Sequence, residues 1–111
     1  KDATKAAPIN KGDLLLHDAT AGAYGMKKAV DGDVFDAVSK QGLIEGPEEP
    51  CAVHLVAGNS RINKMKYTGT APTLGQSVVA SGVGTVKATA TANKTRVVAV
   101  DTALQIVEVL I

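Results

Sequence analysis

Short apolar runs of four to seven residues, broken by Gly, Pro, Asn and Asp, set the rhythm of this chain. That rhythm predicts strands. "AVHLVAG" (52–58), "TVKATATA" (85–92) and "IVEVLI" (106–111) alternate with the two-residue period of half-buried β-strands. The exception is "DVFDAVSKQG" (33–42), where Val34, Phe35 and Val38 share a helical face and Gly42 is placed as a C-terminal stop. It predicts one or two helical turns. The opening "KDATKAAPINK" carries neither period and is interrupted by Pro8, so residues 1–10 are expected to form an extended arm and 11–111 a single β domain.

The pattern is written twice. Gly12, Asp13, Leu14, Leu15 and Leu16 correspond to Gly75, Gln76, Ser77, Val78 and Val79 at an offset of 63, and Gly22 and Lys28 correspond to Gly84 and Lys87 after small gaps. At an offset of 54, Leu43 and Ile44 fall on Val97 and Val98, and Val53, His54 and Leu55 fall on Val107, Glu108 and Val109. Two such units predict a mainly β fold: a small barrel or sandwich of two similar halves with pseudo-twofold character and at most one short helix. The competing reading is chance likeness between Gly-, Val- and Ala-rich segments.

Composition narrows the function classes. At 111 residues the chain has room for one modest core. Aromatic residues make up 3%, so base stacking has little to stand on. The net charge of +1 contains no long block of either sign, and neither nucleic acid nor a membrane is expected among the partners. No apolar run approaches the ~20 residues of a helical span. Cys51 is the single cysteine, which rules out an internal disulfide.

Candidate chemistry is sparse. Asp31, Asp33 and Asp36 in "DGDVFD" resemble part of a calcium loop, but Phe35 breaks the ligand order and the closing Glu is missing, which favours a turn of solvated carboxylates. Cys51 and His54 lie three residues apart in a strand pattern and so fall on opposite faces, which favours a structural thiol and a surface imidazole over a nucleophile pair. "GVGTVK" (82–87) reads as a hairpin turn rather than a phosphate loop, and "EGPEEP" (45–50) as a solvated acidic loop. "RINKMK" (61–66) is a small basic cluster suited to a solvated face or an acidic partner. "NKT" (93–95) matches a glycosylation acceptor without a context that supports it. No catalytic residue, metal or cofactor is expected.

The order "KGDLLLHD", "GLIEG", "AVHLVAGNS", "TLGQSVVASGVGTVKATA", "VVAVDTALQIVEVLI" resembles the small capsid decoration (cement) proteins of tailed bacteriophages, over about residues 9–111. The resemblance implies a non-enzymatic virion protein on the capsid exterior. Its partners would be the major capsid protein and itself, as a homotrimer that clamps neighbouring capsomers and stabilises the head. The contact is then expected in the arm: Lys1, Asp2, Ala3, Thr4, Lys5, Ala6, Ala7, Pro8 and Ile9. The alternative is a β module that binds carbohydrate or a cell surface, which needs an aromatic platform that two Tyr and one Phe supply poorly.

Overall fold

A computed structural model describes residues 7–21, 25–42, 44–46, 51–56 and 61–111. The protein is mainly β. Its strands are β1 (Leu14–His17), β2 (Met26–Lys28), β3 (Ala37–Ser39), β4 (Val53–Leu55), β5 (Ile62–Tyr67), β6 (Ser77–Ala80), β7 (Thr85–Thr89), β8 (Arg96–Asp101) and β9 (Ile106–Leu110). They form two sheets in the orders β2-β1-β3-β4 and β6-β7-β5-β9-β8, with every pairing antiparallel except β5 with β7. The only helical element among the described residues is a 3-10 turn at Ala19–Ala21.

One local device recurs three times. Asn10-Lys11-Gly12-Asp13, Val30-Asp31-Gly32-Asp33 and Thr73-Leu74-Gly75-Gln76 each close a turn in which the fourth residue's N–H donates to the first residue's carbonyl (3.1 Å in all three). The fourth side chain returns the bond, accepting the first residue's N–H through Asp13 Oδ2 (2.8 Å), Asp33 Oδ2 (2.9 Å) or Gln76 Oε1 (3.0 Å). The third position has φ of 92°, 91° and 85°, which is why it is glycine each time. Each turn then leaves two residues facing one partner. Gly12 and Asp13 bond Ser39, Gly32 and Asp33 bond Ala80, and Gly75 and Gln76 bond Val97, all at 2.7–2.9 Å. The last of these joins the β6 and β8 ends of the five-stranded sheet.

The repeat is therefore present in the backbone. β1 and β6 stand 63 residues apart, as the sequence predicts, and β4 maps onto the middle of β9 at 54. Two details are corrected. Leu16 faces Lys27 while Val79 faces Lys87, so Lys27 rather than Lys28 is the counterpart of Lys87. The strand that pairs with β4 as β8 pairs with β9 is β3, because Ala37 faces Leu55 as Val97 faces Val109; Ile44 instead bridges Ile9, and Leu43 lies outside the described residues.

Side-chain packing also departs from a twofold arrangement. Leu15, Ala37, Met26 and Val53 belong to a small cluster with Ile9, Ile44 and Cys51, whereas their counterparts Val78, Val97, Val86 and Val107 belong to the main core. Equivalent faces thus enclose different cores. The other face of the first unit, with Leu14, Phe35 and Val38, packs onto the main core of the second, so the two units stack head to tail. Leu14 and Leu15 can both be buried because both faces of β1 are covered.

The expected helix at 33–42 is not formed. Val34 points out at 56% exposure, Phe35 is buried, and Ala37–Ser39 pairs on both sides as β3. An apolar spacing of one, three and four fits a helix, but the backbone groups there are taken by β1 and β4.

Candidate interaction surface

Along β5, the exposed Ile62, Lys64 and Lys66 alternate with the buried Asn63, Met65 and Tyr67. Register carries this alternation across the sheet. Ile62 lies beside Leu110 and then Arg96, Lys64 beside Glu108 and then Ala99, and Lys66 beside Ile106 and then Asp101. A register shift between Val97 and Ala99 leaves Val98 turned outward at 41% exposure. Leu104, in the β8–β9 turn, is 65% exposed. Lys64, Ala99, Val100, Asp101, Leu104, Ile106 and Glu108 line a shallow cleft of about 150 Å³ on this face. The face is chemically mixed: Ile62, Val98 and Ile106 stand among the cations Lys64, Lys66 and Arg96 and the carboxylates Glu108 and Asp101.

The basic run "RINKMK" is consequently divided. Lys64 and Lys66 point outward, while Arg61 falls on the same side as Asn63, at the rim between the sheets, where its backbone exchanges two hydrogen bonds with Ile111 (2.9 and 3.5 Å). Asn63 Nδ2 lies 3.4 Å from His54 Nδ1 across that rim. His54 is half-buried, and its partial desolvation, followed by the nearby charges of Lys40 and Arg61, lowers its pKa below the usual histidine value. Lys40 is likewise lowered, first by burial and then by Lys11.

Of the expected arm contacts, Lys1, Asp2, Ala3, Thr4, Lys5 and Ala6 lie outside the described residues. The carbonyl of Ala7 accepts a bond from Lys28 Nζ at 2.9 Å, and Pro8 is half-buried. Ile9 is 4% exposed and exchanges two backbone bonds of 2.9 Å with Ile44, so its side chain is packed into the small core rather than presented on the surface. Of the residues expected in the arm, Ile9 pairs with Ile44 and the Asn10 N–H donates to Asp13 Oδ2 at 2.8 Å.

The remaining candidates fall into structural roles. Asp33 closes its turn, Asp36 Oδ2 accepts the His17 N–H at 2.9 Å, and Asp31 pairs with Lys87 at 2.9 Å, so the three carboxylates point to three different partners. Cys51 Sγ sits 3.3 Å from Ser39 Oγ while His54 faces Asn63, which separates thiol from imidazole. "GVGTVK" lies at the β6–β7 hairpin, closed by Ser81 N–H to the Thr85 carbonyl (2.9 Å). The Asn93 amide is occupied at both ends: Nδ2 donates to the Val78 carbonyl (2.9 Å) and Oδ1 accepts the Thr95 N–H (2.8 Å).

Sequence alone did not expose the outward face of β5, β9 and β8. Alternation in "RINKMK" and "IVEVLI" signals two strands with one covered face each, but their adjacency is a tertiary fact, and the outward turn of Val98 depends on an irregularity in the ladder. Comparison of the chain with protein-family models, with curated proteins and with solved structures returns no match.

Proposed function

We propose that this protein decorates the outside of an assembled tailed-phage capsid, as a homotrimer that touches several shell subunits at once and stabilises the head without catalysis. The observation that carries the reading beyond the sequence resemblance is the outward face of β5, β9 and β8, where Ile62 (57% exposed) and Val98 stand on a hydrogen-bonded sheet beside Lys64, Lys66 and Glu108, with Leu104 exposed in the adjoining turn. Apolar groups presented on a rigid sheet lose little conformational freedom on docking. A clamp exploits this through multivalency, since simultaneous contacts raise avidity by roughly 10² to 10⁴ over one site. Binding the lattice but not free shell subunits then opposes disassembly by mass action.

The test is co-sedimentation with undecorated heads, together with solution mass. Saturable binding to heads, with a trimer present in solution or formed on the shell, is expected. Absence of binding to any undecorated head, with the protein folded, overturns the reading.

A further inference from the structure

The rim between the two sheets collects basic groups that make no ion pair among the described residues. Lys40 follows β3 and bonds its N–H to the Ala52 carbonyl (2.8 Å), two residues from His54, which faces Val38 in the β3–β4 ladder. Two-residue alternation puts Lys40 and His54 on one face. Arg61 and Asn63 approach from the second sheet, and the Asn63 amide meets the His54 ring. Lys11 joins them because Gly12 bonds Ser39, the residue before Lys40, and its backbone nitrogen lies 3.8 Å from where a side chain on Gly42 would start. Among the described residues the one ion pair, Lys87 with Asp31, lies elsewhere. The nearest described carboxylate along β3 is Asp36, whose Oδ2 is turned to the His17 N–H.

The His54–Asn63 pair adds a proton-dependent element. With Asn63 Nδ2 donating, His54 Nδ1 must be unprotonated, and Asn63 Oδ1 is then buried with no partner. A half-turn of the amide instead lets Oδ1 accept Nδ1–H, a bond open to the neutral Nδ1–H tautomer and to the imidazolium, whereas the present orientation excludes the imidazolium. What opposes the imidazolium is partial desolvation and the repulsion of Lys40 and Arg61. An anion on the rim removes the second obstacle.

We infer that the rim formed by Lys11, Lys40, His54 and Arg61 docks an acidic peptide segment, and that docking takes up a proton at His54 while the Asn63 amide turns over. The cluster stands on a chain of net charge +1 in which aromatic residues make up 3%, which suits a few carboxylates better than a nucleic-acid backbone. Resting on the capsid reading, the segment belongs to the shell protein. The proton comes from solvent, and reciprocity requires docking to tighten as pH falls through the histidine range.

A capped hexaglutamate peptide is the probe, added to the full chain and followed by amide and imidazole NMR. Saturable shifts are expected at Lys11, Lys40, Ala52–His54 and Arg61–Asn63, with the His54 titration midpoint rising on binding and affinity severalfold higher at about pH 5.5 than at about pH 7.5. The Lys40→Gln/Arg61→Gln pair should weaken binding about tenfold, whereas Lys64→Gln/Lys66→Gln should not. Asn63→Asp, if folded, should bind more weakly because its carboxylate neutralises the rim from within. No shifts at the rim at millimolar peptide, equal binding by the Lys40/Arg61 variant, or an unmoved His54 midpoint overturns the proposal. Heads separate the two readings. If wild-type protein binds heads and the Lys40/Arg61 variant binds equally well, the docking assignment fails and the capsid reading stands; if neither binds heads, the capsid reading fails and the peptide titration still decides the site.

Discussion

Gly12 and Gly75 hold the same left-handed backbone, φ 92° and 85°, and each donates its N–H at 2.8 Å to a strand of its own unit, to Ser39 and to Val97 respectively. The pair ties the repeat to a backbone requirement rather than to shared composition. A side chain at either position meets open space, so any penalty for substitution is conformational and not steric.

Gly12→Ala, Gly32→Ala and Gly75→Ala should therefore each lower stability by about 1–2 kcal/mol, the usual cost of a left-handed L-residue. Gly82→Ala is the control, because its backbone lacks positive φ and an added carbon would lie an ordinary 3.5 Å from Thr85 Oγ1. Thermal melting of the four variants decides the matter. Equal loss at Gly82 would mean that these positions are sensitive for another reason.

Leu15→Asp and Val78→Asp should both abolish folding, since each site is 0% exposed and a buried charge costs several kcal/mol against a total of about 5–15. Lys64→Gln and Lys66→Gln should leave the far-ultraviolet circular dichroism and the melting temperature in place. The two Asp variants fail for different reasons, one in the small cluster and one in the main core.

Phe35→Ala tests the stacking of the units. The ring comes from the first unit and is 2% exposed within the core of the second, so truncation should cost about 3–5 kcal/mol. Leu104→Ala, at 65% exposure, should stay within about 0.5 kcal/mol. Denaturant titration reads both.

His54 gives stability a pH dependence. Its folded-state pKa is lowered, so below the ordinary histidine value of about 6.5 the unfolded chain holds more protons than the folded one. Stability should fall as pH drops through that value and level off once folded His54 is itself protonated. His54→Gln should flatten this limb of the profile, measured by denaturant midpoints between about pH 8 and 5. An unchanged slope would assign the dependence to other groups.

These outcomes bear on what a sequence can reveal. The glycine turns and the β1–β6 correspondence were legible because positive φ constrains residue type locally. The side of β1 that meets each core was not, because Leu14, Leu15 and Leu16 offer apolar groups to both faces and only the covering elements decide. The segment of β3 has helical spacing for a similar reason: Val34, Phe35 and Val38 fit one helix face, and the competing strands lie about twenty residues away on either side in sequence. The basic run from Arg61 to Lys66 looked like one patch, yet strand alternation sends Arg61 to the rim and the two lysines outward. His54, Lys40 and Lys11 carry no shared motif, so their meeting is visible only in the fold.

Head-to-tail stacking also determines whether the halves can live apart. The turn at Gly32 and Asp33 belongs to the first unit but bonds Ala80 in the second, and the Leu14 N–H reaches the Val83 carbonyl at 2.6 Å. Each half thus supplies backbone partners and core side chains that the other lacks. Cutting the gene between them would yield two fragments with raw edges, and mixing those fragments should restore in solution what neither attains alone. Melting of the intact chain should accordingly be a single transition, because neither repeat has a boundary at which unfolding can stop.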